Sequence, residues 1–235
     1  MEIRPLLLGH RGARAEKSIP ENTLASFDLA LASGCDGFEF DVRLTGDGQA
    51  VVCHDATTKT RGLQIARCAV QELGMPSLRE VLTRYQRTSF LDIELKVAGL
   101  EAITADLLRT FTPQRGYVVS SFLPEVLEAL HGIDEAIPLG VICENQTQLG
   151  RWRDLPVAYV IPHYKLIGEE FISEIRAAGK KILVWTVNVV ADMRRFSKWG
   201  VDGIISDNPQ LLALTLDRGL RPGQEIQDEK LKDKK

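Results

Sequence analysis

Short apolar runs alternate with helix-patterned segments along almost the whole chain, and this alternation constrains the fold more than any other feature. The runs read "LLLGH", "GFEFDV", "FLDIELK", "YVVSSF", "LGVIC", "AYVIPHY", "KILVWTV" and "DGIISD". Each is too short for a helix, and most are rich in branched or aromatic residues, as strands are. After the first run comes "ENTLASFDLALASG", with Leu24, Phe27, Ala30 and Leu31 on one helical face. Asn22 is the expected N-cap and Gly34 the expected C-terminal stop. Further helices are expected over 100–111, 124–131, 169–178, 191–199 and 209–216, with the weakest pattern between "LGVIC" and "AYVIPHY". Repeated strand–helix units require parallel strands joined by right-handed crossovers.

One run breaks the rhythm. "AVVCHD" follows "GFEFDVRLT" after only "GDGQ", which leaves no room for a helix and marks a hairpin. Setting it aside leaves about eight parallel strands, the number that closes a TIM (β/α)8 barrel. The expected fold is therefore such a barrel with an extra hairpin strand after strand 2. An open doubly wound sheet is the alternative, but no glycine-rich dinucleotide fingerprint follows the first strand. Residues 56–76 read as an irregular loop over one end of the barrel. Residues 1–216 are expected to form a single barrel, and 217–235, "DRGLRPGQEIQDEKLKDKK", a charged, flexible tail.

In a barrel of this kind, polar residues at the C-terminal strand ends meet at one mouth. Glu39 and Asp41 share one face of "GFEFDV", and Glu94 and Lys96 share one face of "LDIELK". Three carboxylates aimed at one axis repel unless something neutralises them. Two arrangements do so: a hard divalent cation on the oxygens, or ion pairs with Lys96 and Arg11. A hairpin tip at Gly46-Asp47 sets Asp41 opposite Val52 and Glu39 opposite His54, which turns His54 towards the carboxylates. His10 arrives from the first strand. Two histidines among acids and cations suit acid–base work on an oxyanion, and cleavage of a phosphodiester is the reaction they fit.

The formal net charge of -3 removes nucleic acid as an expected partner. The four cysteines have no CxxC spacing, so neither a zinc knuckle nor a redox pair is expected. No apolar run approaches a membrane span, and the leucines of "MEIRPLLLGHRG" are too few for a signal peptide. A cytoplasmic protein without an integral membrane segment is the expectation, and an oligomer is open.

The chain resembles the glycerophosphodiester phosphodiesterases. "HRG" at 10–12, "PENT" at 20–23, "EFDV" at 39–42, "HD" at 54–55, "ELK" at 94–96, "WTVN" at 185–188 and "DGIISDNP" at 202–209 occur in that family's order. The resemblance implies hydrolysis of small-molecule glycerophosphodiesters, such as glycerophosphocholine, to glycerol 3-phosphate and an alcohol. It implies Glu39, Asp41 and Glu94 as ligands of one divalent cation, Mg²⁺ or Ca²⁺. It implies His10 and His54 as the acid–base pair and Arg11 and Lys96 as phosphate-binding groups. Glu21 and Trp185 would line the substrate pocket. The implied route is attack by the neighbouring glycerol hydroxyl, giving a cyclic phosphate that water opens. The segment after "HD" departs from the family pattern and reads as a shortened capping insertion, and Ser206 stands where threonine is common. His163 and Lys165 match no motif. Alternatives are lysophospholipase D-type activity, Schiff-base chemistry at Lys96, or a phosphate-ester-binding barrel without catalysis.

Overall fold

The computed structural model describes residues 4–59 and 61–216. The expected tail over 217–235 lies outside the described residues. The strands are β1 (Leu6–His10), β2 (Gly37–Leu44), β3 (Ala50–Val52), β4 (Phe90–Leu95), β5 (Tyr117–Ser121), β6 (Leu139–Cys143), β7 (Tyr159–Pro162), β8 (Lys181–Val184) and β9 (Gly203–Ser206). They pair in the order β1-β9-β8-β7-β6-β5-β4-β2, and β1 pairs with β2 to close the ring. Every pair in the ring is parallel, and β3 lies outside it, antiparallel to β2. This is the TIM barrel with one hairpin strand added.

The helices are α1 (Leu24–Ala32), α2 (Val70–Leu73), α3 (Leu78–Tyr85), α4 (Glu101–Thr110), α5 (Pro124–Ile133), α6 (Gln146–Gly150), α7 (Glu169–Ala177), α8 (Val190–Trp199) and α9 (Pro209–Thr215). No helix among the described residues is long and apolar enough to cross a membrane. Helix α3 is not among the expected helices, although Leu78, Val81, Leu82 and Tyr85 form its buried face. Its start is a capping box in which Ser77 and Glu80 satisfy each other's backbone N–H groups. The weak segment after β6 holds only five-residue α6 and a 3₁₀ turn, and 56–76 holds a second 3₁₀ turn and four-residue α2.

Strand alternation sorts side chains into two cores. Phe38, Phe40, Val42, Leu91, Ile93 and Leu95 point outwards into the layer beneath the helices. Leu8, Phe90, Val118, Ile142, Tyr159, Ile161, Leu183 and Ile205 fill the barrel interior. Space for the large interior residues comes from small ones in register with them. A Cβ on Gly37 would lie 1.8 Å from the Phe90 carbonyl oxygen, so only glycine allows β2 and β4 to approach there. The barrel is thus solid at its lower end and polar only at the upper one.

Two local expectations fail. The α1 N-cap is Thr23, whose hydroxyl accepts from Ser26 N at 3.2 Å; Asn22 sits one residue earlier and turns inwards. The hairpin register is Val42↔Val52, one residue away from the expected Asp41↔Val52. The tip takes up one residue differently because Thr45 accepts from Gln49 N and closes the turn around Asp47-Gly48. His54 consequently lies beyond β3 and is not paired with Glu39.

Helix α1 docks through Phe27, which is fully buried, stacks on Phe38 at 4.2 Å between centroids and meets Tyr85 edge-on at 6.0 Å. Phe27→Ala should cost about 3–5 kcal/mol of stability, measured by denaturant unfolding. A loss below about 1 kcal/mol would show that this aromatic cluster does not hold α1 on the barrel.

Candidate active site

The inward face of each strand delivers its last side chain to the upper mouth. There a cavity of about 250 Å³ is lined by His10, Arg11, Glu39, His54, Asp92, Glu94, Lys96, Phe122, Glu144 and Trp185, above a floor of Ile142, Ile161 and Ile205. Glu39, Asp41 and Glu94 each offer an oxygen, and these oxygens lie within 4.8 Å of one another. Glu39 Oε1, Asp41 Oδ1 and Glu94 Oε1 are buried and accept no hydrogen bond. Lys96 Nζ lies 2.6 Å from Glu94 Oε1 and 3.4 Å from Asp41 Oδ1, at ion-pair distance. Three buried carboxylate oxygens gathered within 4.8 Å, with one ammonium between two of them, suit a hard cation, so the donor set fits Mg²⁺ or Ca²⁺.

Electrostatics point the same way. Burial, then the charges of Asp41, Glu94 and Asp92, push the Glu39 carboxyl well above its ordinary range against the pull of Arg11. Burial and Asp41 push Glu94 up to about 8 although Lys96 opposes them. Burial also acts upwards on Asp41, but Lys96, Arg11 and the Asn22 amide outweigh it and hold Asp41 ionised. Lys96 is drawn down by burial and up by Glu94 and Asp41, which prevail. A lysine held charged is the opposite of what Schiff-base chemistry needs.

Two residues take left-handed backbone to build this arrangement, Arg11 at φ 49° and Asn22 at φ 58°. Such a conformation costs about 1–3 kcal/mol per residue and persists only when neighbours fix it. The Arg11 carbonyl accepts from Asn22 N at 3.0 Å and Ser26 Oγ at 2.9 Å. The turn in return points Arg11 N at Glu39 Oε2 (2.9 Å) and its Nε at Asp41 Oδ2 (3.2 Å). Asn22 Nδ2 donates to the same Asp41 oxygen at 2.8 Å. Gly12 follows at φ 82°, where a Cβ would meet Ser26 Oγ at 2.4 Å.

Both histidines are held by a carboxylate on Nδ1. His10 Nδ1 is 2.6 Å from Asp207 Oδ1, and His10 Nε2 faces Glu39 Oε2 at 3.8 Å. His54 Nδ1 is 2.7 Å from Asp55 Oδ1. Burial lowers the His54 pKa from its ordinary value although the Asp55 hydrogen bond resists. Asp207 is fixed by Asn188, whose Nδ2 donates to Oδ2 at 2.7 Å and whose Oδ1 accepts from Asp207 N at 2.9 Å. Burial raises Asp207, but His10, Asn188 and Arg14 hold it far below the usual carboxylate range.

The remaining expected residues fall around this centre. Trp185 lines the cavity, donates Nε1–H to the Ile161 carbonyl at 2.9 Å and meets Phe122 edge-on at 5.8 Å. Glu21 lines a neighbouring cavity, where burial opposes ionisation but a Lys59 hydrogen bond and the charges of Arg11, Lys59 and Arg14 hold it at about 2. His163 packs edge-on against Trp185 at 5.4 Å, and Lys165 lies over the Tyr164 ring. Asp92 was not among the expected site residues. It accepts from Ser120 Oγ at 2.6 Å, and burial raises it to about 7. Its period-two position before Glu94 in "LDIELK" was the available signal. Asp207 at the end of "DGIISD" and Asn22 in "PENT" lie in recognisable stretches, but their partners, His10 and Asp41, are far away in sequence and only the fold reveals them.

The model of the glycerophosphoryl diester phosphodiesterase family matches residues 10–73 and 85–211. A glycerophosphodiester phosphodiesterase of Bacillus altitudinis is 31% identical, covering 86% of this chain and 94% of its own. One from Caldanaerobacter subterraneus is 29% identical over 92% of this chain and 100% of its own. Among solved structures, an Oleispira antarctica phosphodiesterase in complex with the product sn-glycerol 3-phosphate superposes with a TM-score of 0.80 at 28% identity, covering 91% of this chain and 97% of that one.

The raised carboxyls carry a pH signature. Glu39, Asp92 and Glu94 titrate higher in the fold than in the unfolded chain, so the stability they contribute is full below the unfolded values of about 4 and lost as pH rises through the folded values. The metal-free protein should therefore lose thermal stability as pH rises through about 7–8. A divalent cation, which replaces the protons, should raise Tm more at about pH 8.5 than at about pH 6. Thermal unfolding with chelator, Mg²⁺ or Ca²⁺ measures this, and an equal cation effect at both pH values would contradict it.

Proposed function

The chain belongs to the glycerophosphoryl diester phosphodiesterase family, whose members are phosphoric diester hydrolases, and we propose that it hydrolyses glycerophosphodiesters to glycerol 3-phosphate and an alcohol. The observation that carries this reading is the meeting of three clustered buried carboxylates with two carboxylate-held histidines at one barrel mouth. Glu39, Asp41 and Glu94 would hold a divalent cation, which when bound neutralises the substrate phosphate and favours attack on phosphorus. Arg11 and Lys96 face the same space with positive charge and orient the phosphate oxygens.

The histidines divide the proton work. His10, with Nδ1 fixed on Asp207, presents Nε2 to the cavity and takes the proton of the glycerol C2 hydroxyl. That oxygen bonds to phosphorus as the bond to the alcohol oxygen breaks, and His54 gives its proton to the departing alcohol. In the second step His54 takes a proton from water, the hydroxide opens the five-membered cyclic phosphate, and His10 returns its proton to the C2 oxygen. The sum is diester plus water giving glycerol 3-phosphate plus alcohol, with both histidines restored. Trp185 and Phe122 bound the cavity that would receive the glycerol arm, and the similar Oleispira antarctica phosphodiesterase is in complex with the product sn-glycerol 3-phosphate. Residues 1–216 act as one catalytic unit in this scheme.

Release of glycerol 3-phosphate from a panel of glycerophosphodiesters, with and without chelator, tests the whole. Activity should vanish in chelator and return with Mg²⁺ or Ca²⁺, and full activity in chelator would remove the cation from the scheme. His54→Ala should lower kcat/KM about 100- to 10,000-fold on alkyl esters but far less on a nitrophenyl ester, whose leaving oxygen needs no proton. Equal losses on both would assign His54 a different role. A substrate lacking the C2 hydroxyl should resist cleavage, and rapid turnover of that analogue would exclude the cyclic route.

A further inference from the structure

A second cavity, of about 410 Å³, adjoins the first and shares His54 with it. Its walls are the "PENT" turn on one side and residues 52–59 and 73–76 on the other, with Val52, Leu73, Met75 and Pro76 supplying apolar surface. A phosphodiester has two organic arms, and these two cavities flank the point where its phosphate would lie. His10, which takes the glycerol proton, lines only the first cavity. His54, which protonates the leaving oxygen, lines both. We infer that the alcohol arm binds in the second cavity and that this cavity selects an uncharged, branched or chain-like alcohol over a charged one. The inference rests on the hydrolysis proposed above.

The charges in the second cavity are already engaged with one another. Lys59 Nζ lies 2.7 Å from Glu21 Oε1, and Arg14 Nε lies 3.0 Å from Glu21 Oε2. Asp55 is taken up by His54, and Arg61 donates to the Glu72 carbonyl. Glu21 and Asp55, the two carboxylates of the lining, each already hold a partner, and among the described residues no Trp, Tyr or Phe lines the cavity to face a quaternary ammonium. An alcohol that carries charge would lose water among apolar walls and meet only carboxylates already paired. One that carries methylenes gains about fourfold in binding for each one buried.

The sharpest comparison uses two glycerol 3-phosphate esters of the same shape, that of choline and that of 3,3-dimethylbutanol, in which carbon replaces the charged nitrogen. The neutral ester should show at least about tenfold higher kcat/KM, since the two fill the same space and only the trimethylammonium group gives up charged-group hydration to enter it. Met75 is half-buried, so replacing it spares the core. Met75→Trp should cut kcat/KM for the dimethylbutyl ester about tenfold and leave the methyl ester within about twofold. Met75→Glu should reverse the preference towards choline. An equal or faster choline ester in the unmodified protein overturns the inference, and so does a Met75→Trp variant that slows both neutral esters alike or neither. Those results leave hydrolysis itself standing. A protein that cleaves no ester of the set takes down both the activity and this assignment.

Discussion

Mutual repulsion among buried carboxylates is the constraint around which the upper half of this barrel is organised. Glu39, Asp41, Glu94 and Asp92 lie almost wholly out of water on adjacent strands β2 and β4. Left alone, such a group would protonate or unfold its surroundings. Here Asp41 stays ionised because Lys96, Arg11 and Asn22 converge on it, and the potential it creates raises its neighbours. The unusual backbone at Arg11 and Asn22, the glycine at 12 and the inward turn before α1 all serve that convergence. They make sense only as parts of one electrostatic arrangement.

That arrangement is asymmetric in a useful way. On one side of it lies a cavity floored by the barrel interior and bounded by aromatic rings. On the other lies a roomier space under residues 56–76, where opposite charges have cancelled one another. His54 stands at the boundary and His10 inside the first cavity, each held by a carboxylate on Nδ1. In the proposed scheme a site divided in this manner would treat the two arms of a diester differently without any moving part.

Much of this was legible in the residues because barrels obey simple periods. Alternation in "GFEFDV" and "LDIELK" separated inward acids from outward Phe38, Phe40, Ile93 and Leu95, and the short "GDGQ" link marked β3 as an addition. What escaped depended on local turn chemistry or on distant partners. The hairpin register moved by one residue because Thr45 closes the tip around Asp47-Gly48, a detail that alternation does not encode. His54 still lines the cavity, but as the first residue of a turn beyond the strand. Asn22 looked like a helix cap because its type favours that position, yet Thr23 is adjacent and equally able, and Asp41 recruits the amide. Short α3 was hidden beside irregular sequence despite its capping box.

The pairing of His10 with Asp207 joins residues 197 positions apart, across the seam where β9 meets β1. During synthesis on the ribosome the carboxylate that orients His10 emerges 197 residues after it, when almost the entire barrel has been made. Neither strand of the seam has its partner until then, so the first strand must wait in an unclosed sheet with one edge unpaired. The assembled imidazole–carboxylate pair is therefore a marker of ring closure. A nascent or truncated chain can hold the acids of β2 and β4 in place, yet it lacks this pair until its last strand has docked.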